Sequence, residues 1–115
     1  MNKAFLIGNL TRDPEKRETP GGKTVCNFTL AVNRRAGGEH PEADYFRVTA
    51  WGALGDICAQ YLRKGRKCSV AGPVELESYT DRDGAVRYHL AVKAEDVEFL
   101  TPRQQDRDGQ GDGGQ

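Results

Sequence analysis

The chain has no run of apolar residues long enough to span a membrane, which takes about 18 or more in a row. Its start, MNKAFLIGNL, turns polar too soon for a signal peptide. Cysteine is scarce. The three present, Cys26, Cys58 and Cys68, are odd in number, form no CxxC pair and sit among apolar neighbours. They read as small core residues in a reducing compartment, which predicts a cytoplasmic protein. The two histidines, His40 and His89, are far apart, so no zinc or other metal site is expected, and no cofactor. Serine is nearly absent. Ser69 falls inside a predicted strand and neither Ser69 nor Ser78 has a histidine nearby in sequence, which argues against nucleophilic catalysis and predicts a protein that is not an enzyme. Asp81 and Asp83 are explained by turn chemistry rather than by two-metal phosphoryl transfer.

An excess of one charge is missing too, since Lys+Arg and Asp+Glu both number 17. The average conceals a division: through Val70 there are twelve basic against seven acidic residues, and beyond it five against ten. Neutrality therefore does not exclude a polyanionic partner. With 115 residues, one domain is expected.

What is present is mostly strand pattern. Asn2 to Leu10 reads as a strand, and Asp13-Pro14 with the charged residues after it as a departure from that strand. Cys26, Phe28, Leu30 and Val32 alternate with Asn27, Thr29, Ala31 and Asn33, the period of a strand with one buried face. Ala36 to Ala43 reads as a loop, with Arg34 and Arg35 at its entrance. Leu54, Ile57, Cys58, Tyr61 and Leu62 make the stripe of a short helix, with Arg63 and Lys64 suited to its negative end and Gly65 to stopping it. A strand from Lys67 bends at Gly72-Pro73 and continues toward Tyr79. Asp81-Arg82-Asp83-Gly84 turns it into a returning strand, Val86 to Lys93. Val97, Phe99 and Leu100 close the apolar pattern. Residues 101–115 hold no hydrophobic residue and are expected to be a disordered Gln/Asp/Gly-rich tail, leaving 1–100 as the domain.

The segment Tyr45 to Trp51 carries the functional information. Read as a strand, it puts Tyr45, Arg47, Thr49 and Trp51 on one face and Phe46, Val48 and Ala50 on the other. Two aromatics beside a cation, opposite a wholly apolar face, suit stacked nucleobases. By itself the strand leaves a second reading open, in which Trp51 and Tyr45 fill a second core or a subunit contact. Five strands with a helix between the third and fourth is the element order of an OB-fold, an all-β Greek-key barrel whose third strand lies on its usual binding face.

Four blocks make a more specific match: NKAFLIGNLTRDPEKR (Asn2 to Arg17), DYFRVTAWG (Asp44 to Gly52), YLRKG (Tyr61 to Gly65), and YTDRDG (Tyr79 to Gly84) followed by Val86, Arg87 and Tyr88. Over about Met1 to Leu100 the chain resembles the bacterial single-stranded DNA-binding proteins. The resemblance implies an OB-fold protomer, assembled as a homotetramer, that coats single-stranded DNA during replication, repair and recombination without catalysing a reaction. It implies a bacterial, nucleoid-associated or phage-encoded protein with no membrane partner. Tyr45, Trp51 and Tyr79 match positions that stack bases; Lys3, Arg47, Lys64 and Arg87 match basic positions near the strand's path.

Departures accompany the match. Relatives often carry an aromatic where this chain has Asn33-Arg34-Arg35-Ala36, and two readings stay open there: Arg34 or Arg35 partly substitutes, or both are merely solvated. Glu75 and Glu77 stand where relatives often have Gln or Arg, which predicts weaker local phosphate attraction. The chain closes on DGQGDGGQ instead of an acidic tip that docks replication and repair proteins. That ending suits a short paralogue or phage- or element-borne form, or a native terminus beyond residue 115. A related OB-fold module of narrower task, such as primosomal replication protein N, remains the alternative reading, and stoichiometric coating of long strands separates the two.

Overall fold

Alternation of apolar and polar residues builds the walls of this molecule, as Thr24–Asn33 illustrates: Cys26, Phe28 and Leu30 point into the core, with Asn27 and Thr29 outward and only half-buried. The computed structural model describes residues 1–34 and 42–101. Arg35, residues 36–41 of the expected loop and residues 102–115 of the expected tail lie outside the described residues. Along the chain the elements are β1 (Ala4–Leu10), β2 (Glu15–Glu18), β3 (Thr24–Asn33), β4 (Ala43–Trp51), α1 (Gly52–Tyr61), β5 (Lys67–Gly72), β6 (Val74–Thr80), β7 (Val86–Lys93) and β8 (Asp96–Phe99).

The strands form one sheet in the order β6-β7-β4-β3-β1-β5-β8, with β2 beside β3. All neighbours are antiparallel except β4 and β7. β5 and β6 are two halves of one bent strand: β5 pairs with β1 and β6 with β7, so the sheet returns on itself as a barrel. The bend needs the small residue at its centre, because a Cβ on Gly72 would overlap the Lys93 carbonyl oxygen. Pro73 follows with no N–H to place in a ladder, and its carbonyl accepts the Lys93 N–H at 3.1 Å. Counted as bent strands, β1–β2, β3, β4, β5–β6 and β7 are the five of an OB-fold, with α1 between the third and fourth.

Two local expectations change. Glu15–Glu18, read as lying beyond the first strand, is strand β2, exposed at every residue and held by pairing from Glu15 opposite Asn27 to Glu18 opposite Thr24. Backbone pairing there outweighs a pattern with no apolar alternation. The helix ends at Leu62, whose extended backbone (φ −91°, ψ 146°) breaks the repeat; Gly65, with φ +88°, serves the following turn instead. Arg63 does serve the negative end, its Nη1 donating to the carbonyls of Ala59 at 3.0 Å and Leu62 at 2.6 Å.

The core gathers Leu10, Phe28, Leu30, Val48, Leu62, Val70 and Val92, each burial of this kind worth roughly 1.5–3 kcal/mol. The three cysteines lie inside it as free thiols. Burial, reinforced by Cys26 and Cys68, pushes the Cys58 thiol up to about 12, and burial pushes Cys68 up to about 11. They are packing residues, and among the described residues no group of His, Cys, Asp and Glu could hold a metal ion. No helix among them is long and apolar enough to cross a membrane. The β6–β7 hairpin projects past this core, which leaves Leu76, Val86 and Tyr88 exposed.

Candidate nucleic-acid interface

β4 divides as its alternation predicts. Val48 and Ala50 are buried and Phe46 packs against the core, while Tyr45 is 61% exposed and Arg47 faces solvent. Its neighbours keep the outward face clear. On the β3 side Tyr45 stands opposite Ala31, Arg47 opposite Thr29 and Thr49 opposite Asn27, all small or short polar residues. Thr49 Oγ1 donates to Asn27 Oδ1 at 2.8 Å, tying the floor together. On the other side Arg47 meets Ala91 and Thr49 meets Lys93 of β7. β6 then adds Glu75 opposite Ala91, Glu77 opposite His89 and Tyr79 opposite Arg87. Cross-strand partners share a face, so one outward surface runs over β3, β4, β7 and β6.

Along this surface lies a groove of about 660 Å³ with Arg12 and Arg17 on one wall, Arg47, Glu77 and His89 on the other, and Asn27 and Thr29 between. Through the shared residues Thr49, Glu77 and Ala91 it continues into a recess of about 290 Å³ beside Trp51. The aromatics are already engaged with charges. Arg47 Cζ lies 5.7 Å from the Tyr79 ring centre and Lys23 Nζ lies 5.4 Å from that of Trp51. Tyr79 also leans on His89, ring centres 5.5 Å apart, and His89 Nε2 meets Glu77 Oε1 at 3.0 Å.

Tyr45, Arg47 and Trp51 thus share the face expected from alternation, and the β7–β6 register brings Tyr79 and Arg87, candidates from the resemblance, to the same surface. The remaining basic candidates are dispersed. Lys3, just ahead of β1, pairs with Glu95 at 3.0 Å and lines neither groove. Lys64 sits in the turn after α1, its backbone N–H donating to Asp13 Oδ1 at 2.8 Å. Arg34 is gripped by Glu42 at 2.8 Å and Asp44 at 2.9 Å, and the Asp44 hydrogen bond pushes its guanidinium pKa further up. Arg87 Nε donates to Asp81 Oδ2 at 2.8 Å; that bond, with backbone N–H groups of the turn, holds the Asp81 carboxyl below the ordinary carboxylate range. Sequence reading missed Arg12, Arg17, Lys23, His89 and Lys93. Arg12 and Arg17 lay within a matched block, but only the pairing of β2 with β3 brings them to the groove.

A barrel closed by a bent strand, with an open groove and outward aromatics on its third strand, belongs to the oligonucleotide-binding barrels as a class. Within that class the chain belongs to the Single-strand binding protein family, whose profile matches residues 1–100. Single-stranded DNA-binding protein 2 of Clostridium acetobutylicum is 45% identical over 102 residues, covering 87% of this chain and 77% of that protein. Single-stranded DNA-binding protein 1 of Chlorobaculum tepidum is 39% identical over 105 residues, covering 87% and 65%. The single-stranded DNA-binding protein of Halalkalibacterium halodurans is 42% identical over 105 residues, covering 90% and 62%.

Proposed function

We propose that this protein coats single-stranded DNA without reading its sequence, as a binding protein and not an enzyme, in bacterial replication, repair and recombination. The observation that carries this is the continuous outward face presenting Tyr45, Trp51 and Tyr79 around Arg47. Every base has a π face, so each platform contributes ~1–3 kcal/mol whatever the base. Three platforms give roughly 3–9 kcal/mol of stacking, which must overcome the ordering of a flexible strand. Phosphate neutralisation adds the rest. Arg47 and Lys64 form no ion pair among the described residues, whereas Lys3, Arg34 and Arg87 exchange a carboxylate for a phosphate. Arg35, next to Arg34 in sequence, lies outside the described residues and is proposed as a phosphate partner on the family resemblance alone.

Residues 1–100 form the DNA-binding domain in this reading, and the protomers assemble as a homotetramer in the cytoplasm. Support comes from β1, which pairs with β3 only at Asn9 and Leu10 and leaves Phe5 and Ile7 76% and 56% exposed. A strand paired with β5 along one edge, with its other edge free from Ala4 to Gly8 and apolar residues outward, invites a second copy. Linking several grooves in one particle converts later contacts into intramolecular ones.

Light scattering of the protein alone and on a long dT strand tests both parts. The expected mass is four protomers when free, and on DNA a mass rising in proportion to strand length. A protein that leaves the dT strand bare refutes the coating role, and a free monomer refutes the assembly.

A further inference from the structure

Carboxylates on a surface that must meet a polyanion are a cost unless they do something there. Glu75 and Glu77 both line the recess of about 290 Å³ beside Trp51, together with Pro73, Ala91 and Lys93. Its size is at the lower end of small-molecule sites, which run from ~300 to 1,000 Å³. Glu77 is positioned, not loose: its Oε1 is bonded to His89 Nε2 at 3.0 Å, while Oε2 forms no hydrogen bond or ion pair among the described residues. Glu75 faces Ala91, the smallest side chain in the ladder there, and forms no hydrogen bond or ion pair among the described residues. A carboxylate only accepts hydrogen bonds, so this wall offers nothing to a phosphate and little to a carbonyl edge. It complements an amino group. Cytosine presents its N4 amino group where thymine and uracil present the O4 acceptor, and Glu is among the side chains that accept from cytosine N4.

We propose that Glu75 and Glu77 make the recess beside Trp51 a selective base position, favouring amino-bearing bases and cytosine over thymine or uracil. This rests on Trp51 being a stacking platform. A base stacked on Trp51 enters the recess edge-first, Lys93 serves as the cation for its phosphate, and the free carboxylate oxygens take the amino hydrogens. The preference is superimposed on sequence-tolerant stacking elsewhere along the groove.

Anisotropy titrations of the full chain with labelled oligo-dC and oligo-dU of equal length, at mildly alkaline pH, test the idea, because these bases differ only at the hydrogen-bonding edge. The expected result is roughly three- to tenfold tighter binding of dC. In a double variant, Glu75→Gln with Glu77→Gln, both strands should bind more tightly than to the parent protein and equally to each other, since an amide both donates and accepts. Equal affinities in the parent protein overturn the proposal, as does a dC preference that survives in the double variant. Failure to bind either strand overturns the stacking reading itself, and this selectivity with it.

Discussion

Glu77 shows how a single side chain sets the character of the face. It lines both the long groove and the recess, it is bonded to His89, and His89 in turn supports Tyr79, on which Arg47 also rests. A negative charge in the groove that also holds Arg47 works against phosphate. Changing Glu77 to Arg should therefore tighten binding and steepen its salt dependence by about one phosphate contact, a slope change near −0.7 for a single strand. Affinities measured across a salt series check it, and an unchanged affinity and slope would show that the strand does not pass this residue. The ion pairs of Lys3, Arg34 and Arg87 weigh less. Solvent screens exposed pairs, so a phosphate can take the place of a carboxylate at small cost.

Among elements, the β6–β7 hairpin depends most on one local arrangement. Asp81 Oδ1 accepts the backbone N–H groups of Asp83 at 2.9 Å and Ala85 at 3.0 Å, and Oδ2 takes Arg87. Because the folded carboxyl lies below its unfolded value, its contribution is complete above about pH 3.9 and is lost as pH falls through the folded value. Protection of the Asp83 and Ala85 amides, taken as the exchange rate relative to the intrinsic rate at each pH, should fall in that acid window. In Asp81→Ala, which removes the acceptor oxygens, protection should be lost at neutral pH already, and protection that persists there would remove Asp81 as the organiser of the turn. The hairpin was legible in sequence through its turn residues, as were β3 and β4 through strict alternation and α1 through its helical stripe. β2 was not, since Glu15–Glu18 has no apolar face and exists only because β3 offers it a ladder. The same reason hid half the groove: Arg12, Arg17 and His89 reach it through long-range pairing, which no local pattern encodes. The exposure of Leu76, Tyr88 and Leu90 was not legible either, since it follows from how far the hairpin outruns the core.

At the scale of the whole molecule, a chain of zero formal net charge presents a groove flanked by Arg12, Arg17 and Arg47, so the attraction for a polyanion is local and not global. The barrel supplies rigidity. Its bend at Gly72-Pro73 lets one strand close the sheet, and the closed sheet holds Tyr45, Arg47, Thr49 and Trp51 facing outward over a filled core. In the proposed reading, platforms fixed in advance need no ordering when a strand arrives, which would let modest stacking terms add. That Trp51, the single tryptophan, stacks on bases is the claim on which the rest depends. Titrating the protein with oligo-dT while following tryptophan fluorescence tests it most directly. Stacking predicts quenching that saturates with the strand, at a midpoint that moves to higher DNA concentration as salt rises. Unchanged emission at a DNA concentration where anisotropy shows the strand fully bound would contradict it.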